Sequence, residues 1–292
     1  MEHKQLTNFI HKNITDKDRD SLYFQYTFDF IEFVAAKNNI PIDKAKELFN
    51  LGWNCFGEMG FQSSQFGNFS EFFSEVYAFM HGNSKDEVHK TYRFHSLIDF
   101  FRMLGYPIYA SLKSDGGNDN RDIGLYAEIL DFLSSRYKKN GEVVIVDYGC
   151  GLANMTMALC KLLKKMDIHP KLVCIDIDKF IHKEFLEFIT SKYNIDYEYI
   201  DVNEDNNFPA IPKFDFIQVK DVFEHVYEPE KIVDNINDSI KEGGIISATT
   251  DDEGPEMMHV SRDLQGVRDK LDEYGFKVLG NSWFNRGYIY QK

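Results

Sequence analysis

Two patterns of apolar and polar positions divide the chain. Through the first 110 residues the apolar positions recur at helical spacing. Phe24, Phe28, Ile31 and Ala35 share one face, as do Phe94, Leu97, Ile98, Phe101 and Leu104. Ser70 stands as the N-cap of "SEFFSEVYAFMHG", which Gly82 ends, and Gly105 ends the later helix. The spacing predicts a helical unit of about four or five helices. "SLKSDGGNDNRD" (111–122) is a long polar, glycine-containing stretch and predicts a linker or loop.

Beyond it, helical patterns alternate with short apolar runs. Helix 123–138 precedes strand 142–147, helix 153–165 precedes strand 171–176, and helix 179–193 precedes strand 196–200. "KFDFIQVK" (213–220) supplies a fourth strand. A helix with Pro229 near its start carries Ile232, Val233, Ile236 and Ile240 on one face. "GGIISAT" reads as a fifth strand, and Ser261 caps a helix carrying Leu264, Val267 and Leu271 that Gly275 ends. "FKVLGNSWF" and "GYIYQK" close the chain as two strands.

Repeated strand–helix units imply an α/β fold: a doubly wound, seven-stranded, mostly parallel sheet with right-handed crossovers. The last two strands have no helix between them, so one of them runs antiparallel to its neighbour. The expected division is a helical, aromatic-rich substrate or cap domain over 1–120 and a sheet domain over 121–292.

The chemistry starts at "IVDYGCGLANMTMAL" (145–159), where an apolar strand reaches Asp147, two glycines and a helix. In an open α/β sheet such a turn borders the ligand crevice. Gly149 and Gly151 allow a tight turn and close approach of a ligand, and the following helix aims free N–H groups at the same place. A dinucleotide fingerprint asks for a third glycine where Asn154 stands. It does not ask for the carboxylate of Asp147, which repels pyrophosphate and suits a cationic amine. Asp176 ends the second strand, where a carboxylate takes both ribose hydroxyls. Asp201 ends the third, where an acid meets the amino edge of an adenine, and Asn203 can do the same work. An amino acid, a ribose and an adenine together describe S-adenosylmethionine.

Five successive segments, "VDYGCGLA", "CIDID", "YIDVNED", "FDFIQVKDVFEHV" and "IKEGGIISAT", resemble the motifs of class I S-adenosylmethionine-dependent methyltransferases. The resemblance spans roughly residues 123–292 and leaves the first 120 outside it. It implies a Rossmann-like methyltransferase domain, with cofactor binding by Asp147, Gly149, Gly151, Asp176, Asp201 and Asp221. One departure is Ala153, which stands where the family often has a third glycine.

"KDVFEHV" (220–226) carries Asp221, Glu224 and His225 at i, i+3 and i+4, a spacing that projects three side chains from one side of a helical turn. His259, in the connection after the fifth strand, approaches from the adjacent strand end. Two carboxylates and two imidazoles can hold a divalent cation. The segment is similar to those of ubiquinone-pathway O-methyltransferases and small-RNA 2′-O-methyltransferases, where it is associated with a metal. Three roles stay open: metal ligation by Asp221, Glu224, His225 and His259, acid–base catalysis by His225 or His259, and local packing. The bases at the site tilt the expected acceptor toward oxygen, since an oxygen acceptor must lose its proton and a nitrogen acceptor needs less help.

Composition then narrows the partners. The 292 residues are 43% apolar and 27% charged, as in ordinary globular proteins. With 33 Lys and Arg against 47 Asp and Glu, the net charge of −14 disfavours a phosphate backbone. The polar N-terminus and the absence of a long uncharged apolar run lead to the expectation of a cytoplasmic protein with neither signal peptide nor membrane span. Cys55, Cys150, Cys160 and Cys174 lack metal or redox spacing and read as free thiols. His95, Trp53 and the methionines of "MTMALCKLL" read as core residues, and 51–68 as irregular loops able to form a lid. The expected function is methyl transfer to a small molecule. The rivals are a nucleic-acid 2′-O-methyltransferase and a catalytically inactive, S-adenosylmethionine-binding regulatory protein.

Overall fold

β-branched, apolar runs bounded by turn residues form the centre of the molecule. In the computed structural model, residues 25–48, 120–137, 141–177, 182–252, 259–282 and 287–292 are described. The elements are α1 (Gln25–Asn38), α2 (Asn120–Arg136), β1 (Glu142–Tyr148), α3 (Asn154–Lys165), β2 (His169–Ile177), α4 (His182–Lys192) and β3 (Asp196–Val202). There follow β4 (Phe214–Val219), α5 (Glu230–Ser239), β5 (Ile240–Thr249), α6 (Gln265–Glu273), β6 (Lys277–Ser282) and β7 (Gly287–Gln291). A short helical segment also covers 42–48.

The seven strands form one sheet in the order β3-β2-β1-β4-β5-β7-β6. All neighbours pair in parallel except at β7, which runs antiparallel to both β5 and β6. β1 and β4 are central, and past Glu142 every residue of both is buried. Their near-continuous apolar sequences follow from burial on both faces. One face is covered by α1 to α4, with Ile129, Leu133, Met157, Leu159, Phe185 and Ile189 in its core. The other carries α5 and α6 through Ile232, Val233, Ile236, Val267 and Leu271.

α1 shares this core. Phe28, Ile31 and Ala35 are buried, as the helical spacing predicts; Phe24 lies outside the described residues. Phe30 and Phe33 meet Phe185 of α4 edge-on, with ring centroids 5.2 and 5.5 Å apart. Buried Asp29 accepts from Lys161, Lys192 and Tyr193, so the helix is keyed to the sheet domain by charge as well as by rings. The predicted helices around 70–82 and 94–104, the glycine-rich segment 51–68 and His95 all lie outside the described residues.

Asp215 is a buried carboxylate on an otherwise apolar strand. It accepts from the backbone N–H of Val144 at 2.8 Å, from Lys241 Nζ at 2.7 Å and from the Tyr137 hydroxyl. It thereby joins β1, β5 and the end of α2. Removing it leaves buried donors without an acceptor, which costs about 2–3 kcal/mol. Asp215→Ala is expected to lose that much in urea denaturation; a loss below about 0.5 kcal/mol would contradict the role.

Several boundaries differ from the sequence expectation. α2 starts at Asn120, so the polar stretch gives its last residues to the helix. β5 starts at Ile240 because Ile240 pairs with Phe214 across a register shift before Ile245 meets Phe216. Ser261 does not cap α6: its hydroxyl donates to the Val226 carbonyl at 2.6 Å. Asp252 and Asp263 instead accept the N–H groups of Leu264 and Gln265 at the helix start. No helix among the described residues is long and apolar enough to cross a membrane.

Candidate active site

The strand order reverses between β1 and β4, since the chain runs outward from β1 to β2 and β3 and then returns to β4 on the other side. The crevice at the carboxyl ends of those two strands is where an open α/β sheet receives a ligand. Asp147, Gly149, Gly151, Asp176, Asp201, Asp221, Glu224, His225 and His259 all lie at carboxyl ends of strands or in the connections that follow them.

The two glycines of the β1 turn do different work. Gly149 has φ +69°, and a Cβ there would lie 2.3 Å from Val222 Cγ2 in the loop after β4. It is glycine so that two loops can touch. Gly151 has φ +50°, and a Cβ there would meet nothing within 4 Å. It leaves open space above the turn. Ala153 adopts a left-handed conformation, φ 50° and ψ 31°, just before α3. A third glycine would sit there without strain, whereas alanine carries about 1–2 kcal/mol.

Asp147 is buried beneath this turn. Thr156 Oγ1 donates to its Oδ2 at 2.6 Å and Gln218 Nε2 to its Oδ1 at 3.4 Å. Burial pushes its pKa up to about 7, against the two hydrogen bonds; Asp176 raises it further and Lys220 lowers it. Asp176 accepts the N–H of Gly151 at Oδ2 and that of Ile177 at Oδ1, both at 2.7 Å. Each of its oxygens keeps a second lone pair. Asp201 lies 3.2 Å from Lys183 through Oδ2, while its Oδ1 is buried and accepts no hydrogen bond. Asn203, the sequence alternative, accepts the N–H groups of Asp205 and Asn206 and so closes its own turn.

Cys150, Cys160 and Cys174 are buried free thiols whose pKa values burial raises; Cys55 lies outside the described residues.

After β4 the chain forms a single 3-10 turn, Phe223–His225, rather than the longer helical turn expected from the spacing. Asp221 precedes it in a left-handed conformation, φ 51°, and its Oδ1 accepts from Thr249 Oγ1 at 3.4 Å. Asp221 is therefore turned toward β5. Glu224, His225 and His259 do converge, with one ligand atom of each within 4.8 Å of the others. The two imidazoles stand edge to face with centroids 5.0 Å apart. His225 Nε2 is 3.9 Å from Glu224 Oε1. The backbone explains the meeting, because the Glu224 carbonyl accepts the N–H groups of Val260 and Ser261 at 2.8 and 3.0 Å.

Local sequence reading missed Thr156, Gln218 and Val222. Gln218 had a signal, being a polar side chain two residues before the end of the apolar fourth strand. Val222 had none, since its role is to meet a glycine more than seventy residues away.

A model of the methyltransferase domain family matches residues 119–281, more than half of the chain. No curated protein matches. Among solved structures the chain is similar to PigF with SAH at 12% identity and TM-score 0.49, covering 100% of this chain and 99% of that one. It is similar to a SAM dependent methyltransferase from Aquifex aeolicus at 18% identity and TM-score 0.39, covering 61% and 96%. The [4+2]-cyclase SpnF aligns at 16% identity and TM-score 0.39 over 52% of this chain; the chain spans 57% of that protein's length.

Proposed function

The chain belongs to the methyltransferase domain family, the class I S-adenosylmethionine-dependent methyltransferases, and from that premise we propose that it methylates an oxygen of a small-molecule acceptor. The residues at the strand ends fit the cofactor. Open space at Gly151 receives its amino-acid end, and the free lone pairs of Asp176 take the ribose hydroxyls. The buried Oδ1 of Asp201 suits the amino group of the adenine. Asp147 supplies negative charge beneath the cofactor's ammonium. Bound there, S-adenosylmethionine supplies an electrophilic methyl on a sulfonium.

The observation that carries the oxygen acceptor is the convergence of Glu224, His225 and His259 beside the β4 end. A hydroxyl seated there gives its proton to a neutral imidazole as it attacks. Glu224, at 3.9 Å from His225, orients that ring and balances the charge it gains. The enzyme's remaining task is alignment and exclusion of water. We assign that to the N-terminal residues, of which α1 is seated on α4. The net charge of −14 speaks against a nucleic-acid acceptor.

The test is methyl transfer from S-adenosylmethionine to a panel of phenols, hydroxy acids and amines. Wild type is expected to methylate hydroxyl acceptors. His225→Ala and His259→Ala are expected to lose 100-fold or more in kcat while binding S-adenosylhomocysteine normally, as removal of an acid–base group does. Transfer to amines alone, or full activity in both variants, would refute the assignment.

The same three side chains favour a second reading, in which they hold a divalent cation; one carboxylate and two imidazoles suit zinc, manganese or iron. Elemental analysis of purified wild type and His259→Ala decides it. Near-stoichiometric metal in wild type alone supports ligation, and equal, negligible content in both refutes it.

A further inference from the structure

Beside the glycine turn the structure brings a lysine to the same face of the sheet as the buried aspartate. Gln218 and Asp147 are paired in register across β4 and β1, and their side chains hydrogen-bond on that face. Side chains along a strand alternate, so Lys220, two residues on, leaves the strand end toward the side that Gln218 faces. It is half-buried, and its charge is felt at Asp147. Asp221 does not follow it: the left-handed backbone at Asp221 sends that carboxyl to Thr249 on β5. Lys220 therefore stands on the β1 side and Asp221 on the β5 side.

The space above Gly151 is thus bordered by an anionic group from β1 and a cationic group from the end of β4. A ligand that bears an ammonium and a carboxylate on one carbon matches that pair. A nucleotide phosphate would meet Asp147, and a simple amine would leave Lys220 without a counter-charge from the ligand. We propose that Lys220 binds the carboxylate of the cofactor's amino-acid end and so selects the intact amino acid over its decarboxylated form. This rests on the cofactor reading above and adds to it a specificity-determining residue that the motifs did not mark.

The experiment is calorimetric titration of the full chain with two ligands, S-adenosylhomocysteine and its decarboxylated analogue, which keeps the ammonium. Wild type is expected to prefer the intact ligand by about tenfold or more, in keeping with a hydrogen-bonded ion pair. Lys220→Met is expected to lose that preference by weakening the intact ligand and leaving the analogue unchanged. Lys220→Arg is expected to restore most of it. Equal weakening of both ligands by Lys220→Met assigns the lysine to structure alone and overturns the inference. Unchanged affinity for the intact ligand overturns it as well. Failure of wild type to bind either ligand overturns the cofactor reading, and this inference with it.

Discussion

Gly149→Ala is expected to cost several kcal/mol of stability and to abolish cofactor binding, whereas Gly151→Ala is expected to abolish binding with little loss of stability. At Gly149 an added Cβ would stand 2.3 Å from Val222 Cγ2, and φ is +69°. Both the clash and the left-handed backbone oppose it. The loop after β4 must move, and with it the 3-10 turn that carries Glu224 and His225. At Gly151 the protein offers no clash within 4 Å, so the stability cost reduces to backbone strain of about 1–2 kcal/mol. The methyl would instead occupy the open space assigned to the ligand. Urea denaturation and calorimetry with S-adenosylhomocysteine measure the two effects separately. Equal stability losses in the two variants, or wild-type affinity in Gly151→Ala, would contradict the division of labour.

The second large effect concerns Asp147. Its pKa of about 7 in the free protein lies above the ordinary value of 3.8, so the folded state holds a proton that the unfolded state releases. The sign follows directly. Stability from this group is fully present below about pH 4, falls as pH rises toward 7, and is flat above, at about 1.4 kcal/mol per pH unit within the window. A ligand ammonium beside Asp147 favours the carboxylate, so binding releases a proton. Affinity should therefore rise about tenfold from pH 6 to pH 8. Asp147→Asn should remove both slopes, stabilise the free protein at pH 8, and weaken cofactor binding by roughly 10- to 100-fold, the worth of a charge-assisted contact. Thermal unfolding with and without S-adenosylhomocysteine at both pH values reports all three. A ligand-induced shift that shrinks as pH rises would contradict the role of Asp147.

Much of this site was legible because strand ends announce themselves. β1, β2 and β3 are apolar runs that stop at Asp147, Asp176 and Asp201, and burial leaves those acids few places to be except the ligand-facing edge. The reversal of strand order and the antiparallel β7 followed from which crossovers had helices. What stayed hidden depended on distant partners. The i, i+3, i+4 spacing of Asp221, Glu224 and His225 suggested one helical face, yet only a 3-10 turn forms. Val226 is extended, at ψ 137°, and its carbonyl is taken by Ser261. Pro229 disfavours helix in the residue before it. The same tie removes Ser261 from the cap of α6. One tertiary hydrogen bond thus accounts for both misread features, and no local pattern contains it.

Ala153 shows the opposite case. Its sequence departure from a third glycine suggested a small loop shift, and the structure keeps the left-handed turn that glycine would favour, φ 50°. The loop holds its course because Ala153 N–H donates to Cys150 O at 2.6 Å and its own carbonyl accepts Met157 N–H at 2.8 Å. Backbone bonding outweighs roughly 1–2 kcal/mol of strain.

The central claim is that the carboxyl ends of β1 to β4 hold S-adenosylmethionine with its methyl directed at Glu224, His225 and His259. A crystal structure of the full chain with S-adenosylhomocysteine tests it most directly. The account predicts the amino-acid end over Gly151, the ribose on Asp176, the adenine amine at Asp201, and the sulfur facing His225 and His259. Ligand bound away from Gly151, or with its sulfur turned from the two histidines, would contradict it.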